Sequence, residues 1–130
     1  MAATERKLPA PAISPETEPY WQAASEGKLL VKRCQNCGET HHYPRSICPH
    51  CGSDRTEWTT ASGVGTVYSY SVMRRAPVPY AVAYVTLAEG TTMFTNLVDC
   101  DLDRLSIGMK VRVVFKPTEG GPPLPCFTPA

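Results

Sequence analysis

Residues Leu29–Thr56 read LLVKRCQNCGETHHYPRSICPHCGSDRT, and this stretch decides the fold. Cys34 and Cys37 form one C-x-x-C pair, Cys48 and Cys51 a second, and each pair is followed directly by a glycine, Gly38 or Gly52. In a metal-binding knuckle the backbone turns back under the ion so that its N–H groups face the thiolate sulfurs. That turn needs a positive φ, which glycine adopts without a Cβ clash. Two such knuckles supply four thiolates, the full tetrahedral shell of a structural Zn²⁺ with Zn–S distances of about 2.3 Å. A filled shell leaves no position for a reactive water, so this zinc is expected to be structural and not catalytic.

Other uses of four cysteines fit less well. Two disulfides would suit a secreted chain, but the opening MAATERKLPAPA has no apolar core of a signal peptide. A redox pair would appear once, in a βαβ setting. An iron–sulfur cluster also takes four cysteines, yet short symmetric knuckles favour a single ion. His41, His42 and His50 lie in or near the inter-knuckle loop and read as surface residues, because the thiolates already fill the shell. Cys100 and Cys126 are left over, and read as free thiols in a reducing cytoplasm, packed as small hydrophobes.

Working outward, the chain of 130 residues suits one domain or two very small ones. Pro9, Pro11, Pro15 and Pro19 exclude a helix near the N-terminus, and residues 1–16 are expected to form a flexible arm. Residues 17–28 hold Tyr20, Trp21 and Ala24 at helical spacing, between Pro19 at a first turn and Gly27 at a stop; a short helix over Pro19–Glu26 follows. One such helix cannot bury two large aromatics alone, so Tyr20 and Trp21 dock either on this chain or on a partner. Residues 29–56 are the ribbon, with a strand over Gly27–Arg33 and another over His42–Arg45. The ribbon has almost no apolar core of its own, so the ion supplies its folding energy, on the order of 10–16 kcal/mol in zinc-binding peptides.

From residue 57 to 130 the texture is β. Ser62–Gly65 marks a bend or bulge. Thr66–Met73 alternates, with Tyr68, Tyr70 and Val72 on one face and Val67, Ser69 and Ser71 on the other. Arg74–Pro79 is a loop, Tyr80–Leu87 and Thr92–Val98 form a hairpin about Glu89-Gly90, and Asp101–Leu105 is one helical turn. Lys110–Lys116 and a short strand at Leu124–Thr128 complete the set. Short strands in this number close into a barrel, which removes exposed edges. The expected class is mainly β: an N-terminal short helix, a Cys₄ zinc ribbon, and a C-terminal five-stranded OB-type β-barrel, with an open sandwich as the alternative.

Taken together, Pro19-Tyr20-Trp21, Cys34-x-x-Cys37-Gly38, Tyr43-Pro44-Arg45, Cys48-x-x-Cys51-Gly52, the run Gly63-x-Gly65-Thr66-Val67-Tyr68-Ser69-Tyr70, Leu87-Ala88-Glu89-Gly90, Ile107-Gly108-Met109 and Pro125-Cys126-Phe127 resemble a known family over residues 17 to 129. This is the family of acyl-CoA-associated OB-fold proteins with a rubredoxin-like zinc ribbon, the domain of unknown function 35 family. The resemblance implies a non-catalytic subunit beside a thiolase-fold acyl-CoA enzyme, an acyltransferase or aldolase. There it stabilises the partner, bridges subunits or helps hold acyl-CoA in a hetero-oligomer. Position 126 is Cys where the family leads one to expect an aliphatic.

The rest of the sequence agrees with a non-catalytic role. No G-x-S-x-G, no catalytic Cys in a His–Asn setting and no open metal site is present. Asp99, Asp101 and Asp103 read as an acidic loop. If CoA is contacted, its phosphates need cations, and Arg33, Arg45, Arg74 and Arg75, with Lys32, are candidates by charge alone; Tyr20 and Trp21 join them as candidate partner contacts. A zinc-ribbon and OB nucleic-acid module, with Tyr68, Tyr70 and Tyr80 stacking bases, is the competing reading. The formal net charge of +1 argues against it. An independent thioester hydrolase is a third reading. No apolar run is long enough to span a bilayer.

Overall fold

The structure, a computed structural model, describes residues 7–130. It contains one helix, α1 (Glu18–Ser25), and eight strands: β1 (Leu30–Cys34), β2 (Thr40–His41), β3 (Thr56–Thr60), β4 (Val64–Met73), β5 (Tyr80–Leu87), β6 (Thr92–Leu97), β7 (Lys110–Lys116) and β8 (Leu124–Pro129). A 3-10 turn at Leu102–Arg104 precedes β7, with the Asp101 carboxylate accepting the Asp103 N–H at 2.9 Å. Strands β2, β1 and β3 make a small antiparallel sheet, and β4-β5-β6-β8-β7 close into a barrel. All barrel pairs are antiparallel except β6 with β8, which run parallel and meet at Leu97 and Phe127. This is the expected five-stranded OB barrel.

Helix α1 ends as its residues dictate. The Gly27 and Lys28 N–H groups bond back to the Ala24 and Ala23 carbonyls, and Gly27 takes φ +78°. Its buried face carries Tyr20, Trp21, Ala23 and Ala24. Tyr20 and Trp21 are only 2% and 4% exposed, so both aromatics dock on their own chain. They join one continuous core with Leu29, Val31 and the barrel interior, including Val67, Val85, Val111 and Phe127.

Four expectations need correction. First, the strand expected at His42–Arg45 is absent: the second ribbon strand is the short β2, and the chain bends immediately after it. Second, Thr56–Thr60 pairs along β1, Leu30 against Thr60 through Cys34 against Thr56, so Glu57–Thr60 lie in the ribbon sheet. The ribbon thereby gains a third strand and a shared core. Third, the alternation along β4 breaks at Tyr68. Val67 pairs with Val85 but Ser69 with Tyr84, so Tyr68 is the extra residue of a bulge. The bulge shifts the phase by one, turning Tyr70 toward the barrel end, where its hydroxyl donates to the Leu105 carbonyl at 2.9 Å, while Tyr68 stays outside. Fourth, the arm is tied down where it is described: Leu8 is buried, its carbonyl accepts the Glu119 N–H at 2.9 Å, and Pro9 bridges Glu119. The first six residues of the expected arm lie outside the described residues.

Candidate metal centre

The two knuckles bring Cys34, Cys37, Cys48 and Cys51 together, with all four sulfurs within 4.8 Å of one another. Cys34 Sγ lies 3.6 Å from Cys51 Sγ, and Cys37 Sγ lies 3.7 Å from Cys48 Sγ. A tetrahedron with metal–sulfur bonds of about 2.3 Å has edges of roughly 3.8 Å, so the sulfurs stand where a zinc ion would need them.

The backbone explains why. Gly38 and Gly52 take φ +77° and +79°, and a Cβ at either would meet nothing within 4 Å, so the glycines are required for conformation and not for space. Their N–H groups bond the Cys34 and Cys48 carbonyls at 2.9 Å each, closing the two turns. Further N–H groups then point at sulfur: Asn36 and Cys37 at Cys34 Sγ (3.3 and 3.5 Å), and His50 at Cys48 Sγ (3.4 Å). The Asn36 side-chain amide crosses to the second knuckle and donates to Cys51 Sγ at 3.5 Å.

The electrostatics follow from these donors. The Cys37 and Asn36 N–H groups hold the Cys34 thiol down at about 6. The Asn36 amide lowers Cys51 as well. Cys37 accepts a backbone bond from Glu39, which acts to lower it, but burial and the neighbouring thiols win and push it up to about 12. Four thiolates this close cannot all ionise without a cation among them, and a divalent ion with thiolate affinity meets that need.

The histidines correct the sequence reading. Only His50 is a surface residue. His41 is 5% exposed, with Nε2 accepting the Arg45 N–H at 3.3 Å, and His42 is half-buried against α1. His42 Nε2 lies 2.9 Å from the Tyr20 hydroxyl, and the Trp21 indole N–H donates to the Tyr43 hydroxyl at 2.7 Å. The rings of Tyr20 and Trp21 meet edge-on at 4.9 Å, and Tyr20 and Tyr43 at 5.5 Å. This polar aromatic node fastens helix to ribbon. The Thr91 hydroxyl, donating to Thr40 Oγ1, fastens ribbon to the β5–β6 turn. Nothing in the spacing of His42 announces its cover, which comes from Tyr20 on α1 some 20 positions earlier.

The node predicts an acid response. Burial, followed by the charge of His41, lowers His42 to about 4, whereas a free histidine titrates near 6.5. The neutral ring is the one the fold holds. Its contribution is complete above about pH 6.5 and is lost as pH falls toward 4. In His42→Gln the unfolding midpoint should fall less steeply with pH across that window than in the parent. Parallel curves in chemical denaturation at pH 4.5, 5.5 and 7 would remove His42 as the cause.

The candidate contact residues scatter. Arg33 faces Glu57 across the ribbon at 3.9 Å, and Arg74 pairs with Asp103 at 2.9 Å on the barrel. Arg45 lines a shallow groove with Glu16, Ile47, Cys48 and Pro49, and Arg75 is exposed in the β4–β5 loop. Lys32 instead lies over the Trp58 ring at 4.3 Å. Tyr20 and Trp21 point into the core. Among the described residues no helix is long and apolar enough to cross a membrane.

A closed four-thiol ribbon leading into an OB barrel defines a class: zinc-ribbon and OB-fold proteins. Residues 21–57 match the family described as ChsH2, rubredoxin-like zinc ribbon domain, and residues 58–116 match ChsH2, C-terminal OB-fold domain. The chain is 38% identical over 105 residues to a DUF35 domain-containing scaffold protein of Methanocaldococcus jannaschii, covering 74% of each chain. It belongs to the DUF35 family.

Longer relatives match as well. The chain is 39% identical over 127 residues to a probable enoyl-CoA hydratase alpha subunit of Thermomonospora curvata, 94% of this chain but 40% of that protein. It is 32% identical over 111 residues to the 3-oxo-4,17-pregnadiene-20-carboxyl-CoA hydratase alpha subunit of Mycobacterium tuberculosis, spanning 35% of that one. Among solved structures, a chain of an Ltp2-ChsH2(DUF35) aldolase is 39% identical and superposes with a TM-score of 0.81, over 92% of this chain and 98% of that one.

Proposed function

We propose that this chain is a non-catalytic, zinc-holding subunit of a thiolase-like acyl-CoA enzyme, an acyltransferase or aldolase. The observation that carries the reading is the near-complete match, at 39% identity, to a chain of an Ltp2-ChsH2(DUF35) aldolase. Shorter-range support comes from a match to the benzoylsuccinyl-CoA thiolase subunit BbsA of Geobacter metallireducens, 33% identical over 69 residues. Cys34, Cys37, Cys48 and Cys51 hold the zinc, which cross-links the two knuckles and adds folding energy to a short sheet. With four protein ligands the ion has no open position, so the residues around it bind and orient other elements and move no proton.

In this reading the chain stabilises its partner. Arg33, Arg45, Arg74 and Arg75, all solvent-exposed, are candidate cations for the phosphates of acyl-CoA, Arg33 and Arg74 by exchanging their ion pairs with Glu57 and Asp103. Tyr20 and Trp21 act from inside, by fixing α1 on the ribbon. The test is co-expression with the thiolase-fold enzyme of the same source, followed by light scattering on the purified mixture. A stable hetero-complex is expected, with no thioester turnover by the chain alone. Separate elution of the two proteins, or turnover by the lone chain, would overturn the proposal.

A further inference from the structure

The outer face of β4, β5 and β6 carries none of the four metal ligands and none of the contacts that fasten α1 to the ribbon. Val64–Met73, Tyr80–Leu87 and Thr92–Leu97 contain no Asp, Glu, Lys or Arg, although the chain carries 25 such residues, 13 basic and 12 acidic. Across this uncharged face runs an aromatic row. The bulge residue Tyr68 stands beside Tyr84, which pairs directly with Phe94, their rings 5.1 Å apart. Tyr68, Tyr84 and Phe94 are 68%, 48% and 57% exposed. The β4 bulge is what brings the row into line, since it turns Tyr70 to the barrel end, toward the Leu105 carbonyl, and leaves Tyr68 out.

We infer that this row is the centre of the surface covered by the acyl-CoA enzyme subunit, through an uncharged apolar face of that partner. The inference rests on the reading under Proposed function. Aromatic side chains with depleted charge mark the core of a protein–protein interface, as distinct from its rim. Covering three half-exposed aromatics removes roughly 300–400 Å² from water. That is about half of the 800 Å² per partner of a standard interface, with the flanking Ser, Thr and Asn positions left to form the rim. The same absence of charge turns away phosphate-bearing ligands. A nucleic acid or the CoA phosphates would need cations here, and the three strands supply none; Lys110, which donates to Thr66 Oγ1, and Arg112, which pairs with Val64, border the face from β7.

The test compares the parent with Tyr84→Lys/Phe94→Lys, with Tyr68→Lys as a milder single change and Ile13→Lys as a control. Ile13 is 50% exposed and lies outside the three strands, before α1. Each zinc-loaded protein is titrated with the purified thiolase-fold enzyme by calorimetry. Melting temperature and zinc content establish that the variants are folded. The expected result is at least a ~100-fold loss of affinity for the double variant, a smaller loss for Tyr68→Lys, and none for Ile13→Lys. Equal binding by parent and double variant would overturn this surface while leaving the proposed function intact. No binding by the parent would overturn the proposed function and this inference with it. Concentration-dependent dimers of the parent alone that vanish in the double variant would assign the face to a second copy of the chain. Salt-sensitive binding of single-stranded RNA that the double variant loses would assign it to nucleic acid; either result refutes the inference.

Discussion

Cys37→Ser is expected to drop the zinc content from about one ion per chain to near zero and to unfold the ribbon. A serine hydroxyl does not ionise at neutral pH and is a poor zinc ligand, so three thiolates remain for an ion that takes four. Cys37 is the informative position because it is exposed, whereas Cys34 and Cys48 are 0% and 1% exposed and would leave cavities when changed. Loss at Cys37 therefore reports the metal alone. The free energy at stake is on the order of 10 kcal/mol, more than a ribbon of two- and five-residue strands can recover from packing. Because Tyr20, Trp21, Leu29 and Val31 share one core with the barrel, α1 should loosen along with the knuckles. Elemental analysis and amide hydrogen exchange check both parts. Full zinc content in Cys37→Ser would refute the ligand assignment.

Gly63→Ala should cost about 2–5 kcal/mol and lower the melting temperature by on the order of 10 °C, without touching the zinc. Gly63 takes φ +81°, which an L-residue enters only at a cost of roughly 1–2 kcal/mol. Its carbonyl accepts the Val113 N–H at 2.7 Å, so the two backbones are held close. A Cβ there would stand 2.5 Å from Val113 Cγ1. The neighbouring Gly65 is tight for another reason: its Cβ would lie 2.6 Å from Val85 Cγ1 and 2.9 Å from the Thr86 carbonyl oxygen, inside the barrel. Val113→Ala in the Gly63→Ala background should recover part of the loss, by relieving the overlap but not the backbone strain. A single variant that melts within 2–3 °C of the parent would contradict the crowding at this barrel seam.

Both predictions start from features visible in the linear chain, and they show where that visibility stops. Gly63 and Gly65 announce a bend, but what crowds them comes from distant strands: Val113 of β7 at Gly63, and Val85 and Thr86 of β5 at Gly65. The alternation of Thr66–Met73 is plain, yet the bulge at Tyr68 shifts its phase, because register is set by the partner strand and not by the strand itself. The three histidines look alike in the inter-knuckle loop, and α1 then covers His42 while leaving His50 in water.

What the amino-acid order determined alone was whatever depends on neighbours a few residues apart: the two C-x-x-C-G turns and so the four ligands, the stop of α1 at Gly27, and the bounds of the five barrel strands to within one or two residues. The tertiary structure alone decided what depends on distant partners. It placed Glu57–Thr60 in the ribbon sheet, buried Tyr20 and Trp21 in one core with the barrel, and lined up Tyr68, Tyr84 and Phe94 on its uncharged outer face. Turn chemistry is written in adjacent φ angles and side chains, whereas burial is a property of surfaces that meet only after the chain has closed on itself.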